Sequence, residues 1–414
     1  MSQAPWITVV GIGDNGLDGI SPAARALIDG AELLVGGERH QAMVTGHGAE
    51  RLTWSGGTDA AMDAMAAWRG RRVVVLATGD PLYYGAGSIL ARRFRAEEML
   101  VLPHPGAFSL AAARMLWSLP DTTPVTVHGR PLGILNLHVA PGVRLLILSR
   151  DGGSPAEIAA LLTERGFGPS TLSVFEHLGG PREHRVDGVA ETWGDTRTAD
   201  LNTVAVECRP GPAPRLIPRT PGLPDDLFEH DGQITKREVR AVTISALEPQ
   251  AGAVLWDVGA GNGSVGIEWL RAAPPVKVAV LDHAEAACVA FERDPDRCAR
   301  IARNADALGV PQLRVVPGAA PEALAGAEPR PDVVFVGGGI THAGVLEACW
   351  DALRPGGLLV ANGVTLQAES RLLAARQAWG GSVVRLTVER EDTIGAMAAL
   401  KPLAPVLQYR VRKP

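Results

Sequence analysis

The chain has 414 residues, enough for two or three domains that each bury a core. Its composition, 46% hydrophobic and 21% charged, excludes a disordered or fibrous protein, and a net charge of −5 gives no electrostatic case for nucleic acid. No run of about 18 apolar residues is present to span a bilayer, and the opening MSQAPWITVVGIG enters a strand without a signal peptide's n-region or cleavage site. A cytoplasmic protein with neither a membrane nor a nucleic-acid partner is expected. The scattered Cys208, Cys288, Cys298 and Cys349 read as buried thiols, with no metal site.

Ile7 to Val10 form the first strand, followed by GIGDNG. Ser21 is placed to cap a helix with Pro22 at its first position. Ala31 to Val35 make a second strand, running into GGERH at Gly36 to His40. Arg72 to Thr78 is almost continuously apolar, as in a strand covered on both faces, and ends in GDPLYYGAG. Val101 to Ala107 leads into a helix from Phe108 to Trp117. Val125 to Arg130 and Val143 to Arg150 are strands that each end in an arginine. Ser154-Pro155 starts a helix to Arg165, and the strands Ser173 to Glu176 and Thr203 to Glu207 follow. Strands and helices at this spacing predict an α/β fold with a mostly parallel sheet.

Residues 209–224, with six prolines and two glycines, forbid a regular element and predict an extended linker between domains at 1–208 and 225–414. Thr235 with Glu238 has the form of a capping box for a helix to about Leu247. Then comes VLWDVGAGNGSVGIEWL, Val254 to Leu270: a strand, a glycine turn and a helix. Glycine suits a ligand lying against backbone at a strand's carboxyl end. Gly261, Gly263 and Gly266 spell the dinucleotide fingerprint, while Asp257-x-Gly259-x-Gly261-x-Gly263 resembles motif I of class I S-adenosylmethionine (SAM) methyltransferases, which implies an acid at the end of the next strand that holds the cofactor's ribose. Two acids compete for the cofactor's ribose. Asp282 has the usual spacing from the glycines; Glu292 has the better local context, which makes 276–286 an insertion. Further strands are expected at Leu313 to Val316, at Asp332 to Val336 before Gly337 to Gly339, and within Leu353 to Val364. Val383 to Arg390 and Val406 to Val411 fit an antiparallel hairpin closing the sheet, which a nicotinamide-binding fold lacks, so the cofactor choice goes to SAM.

GIG, ATGDPLYYG and the proline-rich turn PHPGA resemble the tetrapyrrole methylase family, class III SAM methyltransferases with two α/β subdomains. The resemblance implies that Gly11, Gly13, Thr78, Gly79, Asp80 and Tyr83, with Gly106 and Ala107, hold SAM. HGRP, SRDGGSP and E-x-LGGPRE are similar to the branch acting on late precorrins. For such a polycarboxylate, Arg130, Arg182 and, less so, Arg150 are candidate carboxylate forks, the alternative for each being a surface ion pair.

PDDLFEHDGQITKREVRA before WDVGAGNGSVGIEW resembles the small class I methyltransferases of cobalamin synthesis that also decarboxylate. This implies a Rossmann-like domain with a seven-stranded mixed sheet. Its SAM site would comprise Thr235, Asp257, Gly259, Ala260, Gly261, Asn262 and Gly263, then Glu292, Ala319 and Ala320. Gly337, Gly338 and Gly339 would face substrate, with Thr341 and His342 as the proton-donating side chains of that loop. The order of the two halves is similar to a fused C5,15-methyltransferase family of cobalamin biosynthesis. That implies two SAM sites, methylation of a precorrin at C5 and C15, loss of the C12 acetate carboxyl, and a homo-oligomer through the C-terminal domain. The alternatives are a bifunctional methyltransferase on another polycarboxylate tetrapyrrole, a non-catalytic SAM or corrinoid binder, and a dehydrogenase.

Overall fold

The computed structural model describes residues 5–274 and 287–414. Asp282 and the proposed insertion at 276–286 lie outside the described residues. The chain forms two compact units, Met1–Leu132 with His138–Leu216, and Gly133–Leu137 with Ile217–Pro414. The division falls inside the proline-rich stretch.

The first unit opens with β1 (Ile7–Ile12), α1 (Pro22–Asp29), β2 (Leu33–Val35), α2 (Glu38–Met43), β3 (Glu50–Leu52), α3 (Thr58–Ala66), β4 (Val73–Thr78), α4 (Ala86–Arg93) and β5 (Met99–Leu102). The hydroxyl of Ser21 accepts from Ala24 N and starts α1 as its sequence position implies. These strands form an all-parallel sheet in the order β3-β2-β4-β1-β5. β1 is buried along its whole length and β4 up to Thr78, so their apolar runs are continuous.

A second sheet follows α5 (Ala107–Met115). It comprises β6 (Thr123–Thr126), β7 (Arg144–Leu148), β8 (Thr171–Glu176), β9 (His184–Val189) and β10 (Asn202–Glu207), with α6 (Ser154–Glu164) between β7 and β8. Its order is β6-β7-β10-β8-β9, and only β6 and β7 run parallel. The expectation of a mostly parallel sheet therefore holds for the first sheet and not the second. β9 has no buried residue, so no apolar pattern announced it. The strands ending in arginine also stop early: β6 ends at Thr126, four residues before Arg130, and β7 ends at Leu148.

The second unit contains α7 (Arg237–Leu247), β11 (Val254–Val258), α8 (Ser264–Ala272), β12 (Ala287–Glu292), α9 (Pro295–Ala307), β13 (Arg314–Pro317), β14 (Val333–Val336), α10 (Val345–Ala352), β15 (Leu358–Gly363) and α11 (Leu366–Trp379). It ends with β16 (Ser382–Leu386), β17 (Glu389–Ile394), β18 (Met397–Pro402) and β19 (Val406–Arg412). Seven strands form one mixed sheet, β13-β12-β11-β14-β15-β19-β16, in which β19 is antiparallel to both neighbours. Its alternating side chains feed two cores. Val254, Trp256 and Val258 join α10 and α11, while Leu255 joins α7, α8 and α9.

Two expectations change here. Val383 to Arg390 is not one strand: β16 ends at Leu386, and β17 pairs with β18 in a separate two-stranded sheet. Thr235 is not the N-cap of α7; Lys236 holds that position with no side-chain cap. Glu238 pairs instead with Arg390, so the capping box lost its acid to an arginine from β17.

The linker is extended but not free. Gly211 N and Arg215 N donate to Gly166 O and Arg165 O in the first unit. In the second unit Arg271 donates to Ile217 O and Pro218 O, and Glu268 accepts from Gly222 N and Leu223 N.

Candidate cofactor and substrate sites

In the second unit a cavity of about 590 Å³ lies at the carboxyl ends of the parallel strands, within the range of small-molecule sites. Gly259, Ala260, Gly261 and Asn262 after β11, Glu292 at the end of β12, and Ala319 and Ala320 after β13 all line it. So do Gly337 to Gly339 and His342 after β14, and Thr235 from the segment before α7. Residues scattered over more than a hundred positions meet because parallel strands end on one edge.

The glycines do different work. A Cβ on Gly259 would stand 2.7 Å from Gly338 Cα, so this glycine lets two loops touch. One on Gly263 would press on Ile301, and one on Gly266 would stand 2.7 Å from Cys288 Sγ. Gly261 alone meets only Gln233 O at 3.7 Å, and it is the one that opens onto the cavity beside its neighbours. All three of Gly259, Gly261 and Gly263 have positive φ.

Asp257 does not line the cavity. It sits one residue before the end of β11 on the face shared with Leu255, beneath α8, where its Oδ2 accepts from Gly266 N at 2.9 Å. Its Oδ1 has no partner among the described residues. Burial, opposed by the Gly266 N–H and reinforced by the Glu292 charge, pushes its carboxyl up to about 7. It braces the first turn of α8. Gly263 and Thr341 are likewise absent from the cavity wall, and Thr341 is exposed.

Glu292 is buried and extends one residue past the β11 pairing. Its Oε2 accepts from Gly261 N at 2.8 Å and its Oε1 from Asp294 N at 3.0 Å. Asp294 then caps α9 through Asp296 N and Arg297 N. An acid held at the strand end beside an open glycine, with Phe291, Ala319 and Ala320 as apolar neighbours, fits a ribose and an adenine ring.

The roof is the segment 229–236. Asn262 Nδ2 donates to Asp231 Oδ1 and Gln233 O, and Asn304 Nδ2 donates to Glu229 O and Asn262 O. Asp231 also pairs with Arg297 and Arg300, and bonds from Asn262 and Arg297 hold its carboxyl well below the usual range. Arg240, wholly buried, ties this roof to the core: it pairs with Glu268 at 2.6 Å and Asp225 at 3.0 Å and donates to Thr235 O at 2.5 Å and to Leu223 O. Sequence reasoning missed Gln233, Ile234, Lys236, Asn362, Leu403, Ala404 and Val406 in the wall. Lys236 adjoins Thr235 in the chain, whereas nothing local marked Leu403.

In the first unit, the loops after β1, β4 and β5 converge. A Cβ on Gly11 would stand 2.6 Å from His104 N and closer still to Gly79 O, and one on Gly79 would stand 2.7 Å from Gly106 Cα. Gly106 is the N-cap of α5 and Ala107 its first residue. Asp80 Oδ1 accepts from Leu82 N, shaping the turn that carries Tyr83. Gly13 lies against the His104 imidazole.

The GGERH stretch, read only as a strand ending, also reaches this place. Thr78 Oγ1 lies 2.9 Å from His40 Nε2 and accepts from Arg39 at 3.1 Å. Arg39 pairs with Asp14, and Asp14 lies 3.3 Å from His177 Nδ1 in the β8–β9 loop. Arg182 approaches the same imidazole nitrogen at 3.3 Å. Burial, with the Arg39 charge, brings His40 down to about 4, so it is neutral. Arg130 stands over the Tyr84 ring, 5.9 Å from its centre. Arg150 pairs with Asp151 and Glu157 on the surface, the alternative set against a ligand role.

Residues 7–193 match the family described as Tetrapyrrole (Corrin/Porphyrin) Methylases, and residues 226–413 match the Precorrin methyltransferase domain. A protein of Sinorhizobium sp named precorrin-6Y C(5,15)-methyltransferase [decarboxylating] is 45% identical over 410 residues, covering 98% of this chain and 96% of its own. The chain belongs to this family. A relative of the same name from Mycobacterium tuberculosis H37Rv is 40% identical, covering 98% of this chain and 100% of its own. A shorter relative from Salmonella typhimurium LT2, named cobalt-precorrin-7 C(5)-methyltransferase, is 36% identical over 42% of this chain and 85% of its own. Within this family both matched regions are methyltransferase domains, and the small-molecule substrate is a tetrapyrrole.

Proposed function

We propose that each unit holds one SAM, the first at the convergence of Gly11, Gly13, Thr78 to Asp80, Tyr83, Gly106 and Ala107, the second in the cavity around Gly261 and Glu292. The activity is SAM-dependent methylation of a precorrin at C5 and C15 with decarboxylation, in cobalamin biosynthesis. The observation that carries it is the similarity to named relatives over nearly the whole chain.

SAM supplies an already activated methyl group. The meso carbon of a reduced tetrapyrrole is already nucleophilic, so the chain's task is to hold the two in line. Glu292 would accept from the ribose hydroxyls, Ala319 and Ala320 would flank the adenine, and Thr235 and Asn262 would close the roof. The seven-stranded order with its antiparallel β19 supports a class I, Rossmann-like reading of this unit. Gly337 to Gly339 let substrate approach backbone, and Arg130 and Arg182 would take substrate carboxylates in the first unit.

Decarboxylation is assigned to the second unit, together with C15 methylation. A shorter relative from Pyrobaculum calidifontis, 36% identical over 45% of this chain and 93% of its own, is named probable cobalt-precorrin-6B C(15)-methyltransferase (decarboxylating), which joins the two reactions in one small protein. The C–C bond to the acetate carboxyl breaks, its electrons pass into the macrocycle, CO₂ leaves, and the remaining carbon takes a proton. His342 reaches the cavity and is its proton donor; Thr341 does not line the wall and has at most an indirect part. Self-association through the second unit is supported by the exposed Ile394, Met397 and Leu400 of the β17–β18 hairpin. A cytoplasmic setting would keep the four free thiols reduced.

Incubation of the full chain with SAM and precorrin-6B should give a product with two added methyl groups and one CO₂ lost, by mass spectrometry. A product with both methyls and its C12 acetate intact refutes the decarboxylase assignment.

A further inference from the structure

The loop after β4 carries an aromatic residue with no assigned role. Tyr84 has φ +58, a left-handed conformation that a residue with a Cβ adopts only at a cost. Its ring is nonetheless half exposed, so no core burial accounts for the strain. The loop is rigid: Ser88 N donates to Pro81 O, Ser88 Oγ donates to Leu82 O, and a Cβ on Gly85 or Gly87 would run into Pro81 O.

Tyr84 is edge-on to Tyr83, with centres 5.3 Å apart, and 6.1 Å from Phe108. Phe108 belongs to α5 and packs on Leu146, Phe175 and Ala205 of the second sheet. Leu82, 53% exposed, adjoins in the loop, and the Arg130 guanidinium stands over the Tyr84 ring. The result is a fixed, solvent-facing apolar platform between the two sheets of the first unit, with a cation at its edge. A partly conjugated macrocycle has an apolar face and a rim of carboxylates, and matches that arrangement.

We infer that the Tyr84 ring is the seat on which the tetrapyrrole's face rests during the first unit's methylation, with Arg130 setting which carboxylate-bearing edge lies beside it. This rests on the reading that the first unit has its own methyltransferase site.

The test uses the full chain with precorrin-6B. Tyr84→Ala should raise the KM for tetrapyrrole in the first unit's methylation about tenfold, the scale of one lost aromatic contact, with kcat at saturation little changed. At limiting substrate it should accumulate product carrying one methyl and lacking one CO₂. Tyr84→Phe should keep wild-type KM, because stacking needs the ring and not the hydroxyl. Tyr84→Gly, which accommodates φ +58, should behave as Tyr84→Ala and fold at least as well as wild type, separating loss of the ring from loss of the loop. Calorimetric SAM binding should stay at two sites in all three. Wild-type KM in both Tyr84→Ala and Tyr84→Gly overturns the inference, and so does loss of one SAM site, which would put the ring on the cofactor. A wild-type chain that binds a single SAM refutes the two-site reading itself, and this inference with it.

Discussion

The two glycine-rich sites look alike in sequence and are built oppositely. In the first unit Gly11, Gly79 and Gly106 bring three loops into backbone contact, and the surrounding side chains are charged, with Arg39 and Arg182 partly exposed and Asp14 nearly covered. In the second, Gly259 makes such a contact, but Gly261 faces open space, and the roof is anchored by a buried ion pair. A glycine motif therefore records close approach, either of chain to chain or of chain to ligand. Only the neighbouring loops decide which.

The largest test of this contrast is at the anchors. Arg240→Met strands Glu268 without its charge partner in the core and should lower the second unit's stability by about 3–5 kcal/mol, read as the shift of one calorimetric transition. Arg39→Met removes a pair whose arginine is 37% exposed and leaves Asp14, itself nearly covered, its His177 neighbour at 3.3 Å, and should cost less, about 1 kcal/mol. Equal losses would erase the distinction.

Next come the glycines themselves. Gly11→Ala meets backbone on two sides and should cost about 3 kcal/mol in chemical unfolding. Gly261→Ala meets only the strain of its φ of +60, about 1 kcal/mol, while Gly261→Arg should fold and lose the second unit's SAM. Retention of that binding would falsify the cavity as the cofactor site.

Glu292→Ala should weaken SAM binding at one of two sites by about 1.5–3 kcal/mol, the scale of charged hydrogen bonds, leaving the other site untouched by calorimetry. Unchanged affinity would return the ribose to Asp282.

A further contrast is one of pH, with opposite signs in the two units. His40 titrates near 4 when folded against about 6.5 when unfolded, so its contribution is present above pH 6.5 and lost as pH falls toward 4. Asp257 titrates near 7 when folded against about 3.8, so its contribution is present below pH 3.8 and lost as pH rises through 7. Melting temperatures relative to His40→Gln should converge at acid pH, and those relative to Asp257→Asn at alkaline pH.

Much of the second site was legible because its residues sit at strand ends announced by apolar runs. Glu292 could be placed by the strand before it and the Asp294-Pro295 helix start after it. Asp257 was misplaced through neglect of the pleat: one residue short of the strand end, a side chain points into a face and not at the edge. Lys236 displaced Thr235 as the cap because Arg390, from far along the chain, claims Glu238. The role of GGERH was hidden for the same reason, since Arg39 and His40 acquire partners only when β2 lies beside β4. Long-range pairing of exposed charges leaves no periodicity to read.

The five residues Gly133–Leu137 have a consequence for anyone wishing to divide the gene. They are encoded within the first half yet count with the second unit, where Asn136 donates to Asp306 O and Leu137 O accepts from Arg219. A scission at the linker therefore deprives the C-terminal fragment of a piece of its own surface. Cutting after Pro218 would also remove both carbonyls that Arg271 uses there. The clean breakpoint lies between Leu216 and Ile217, and even there the fragment needs residues 133–137 supplied as a peptide or grafted to its start. The proline-rich stretch reads as a hyphen between two words, but the spelling of the second begins inside the first.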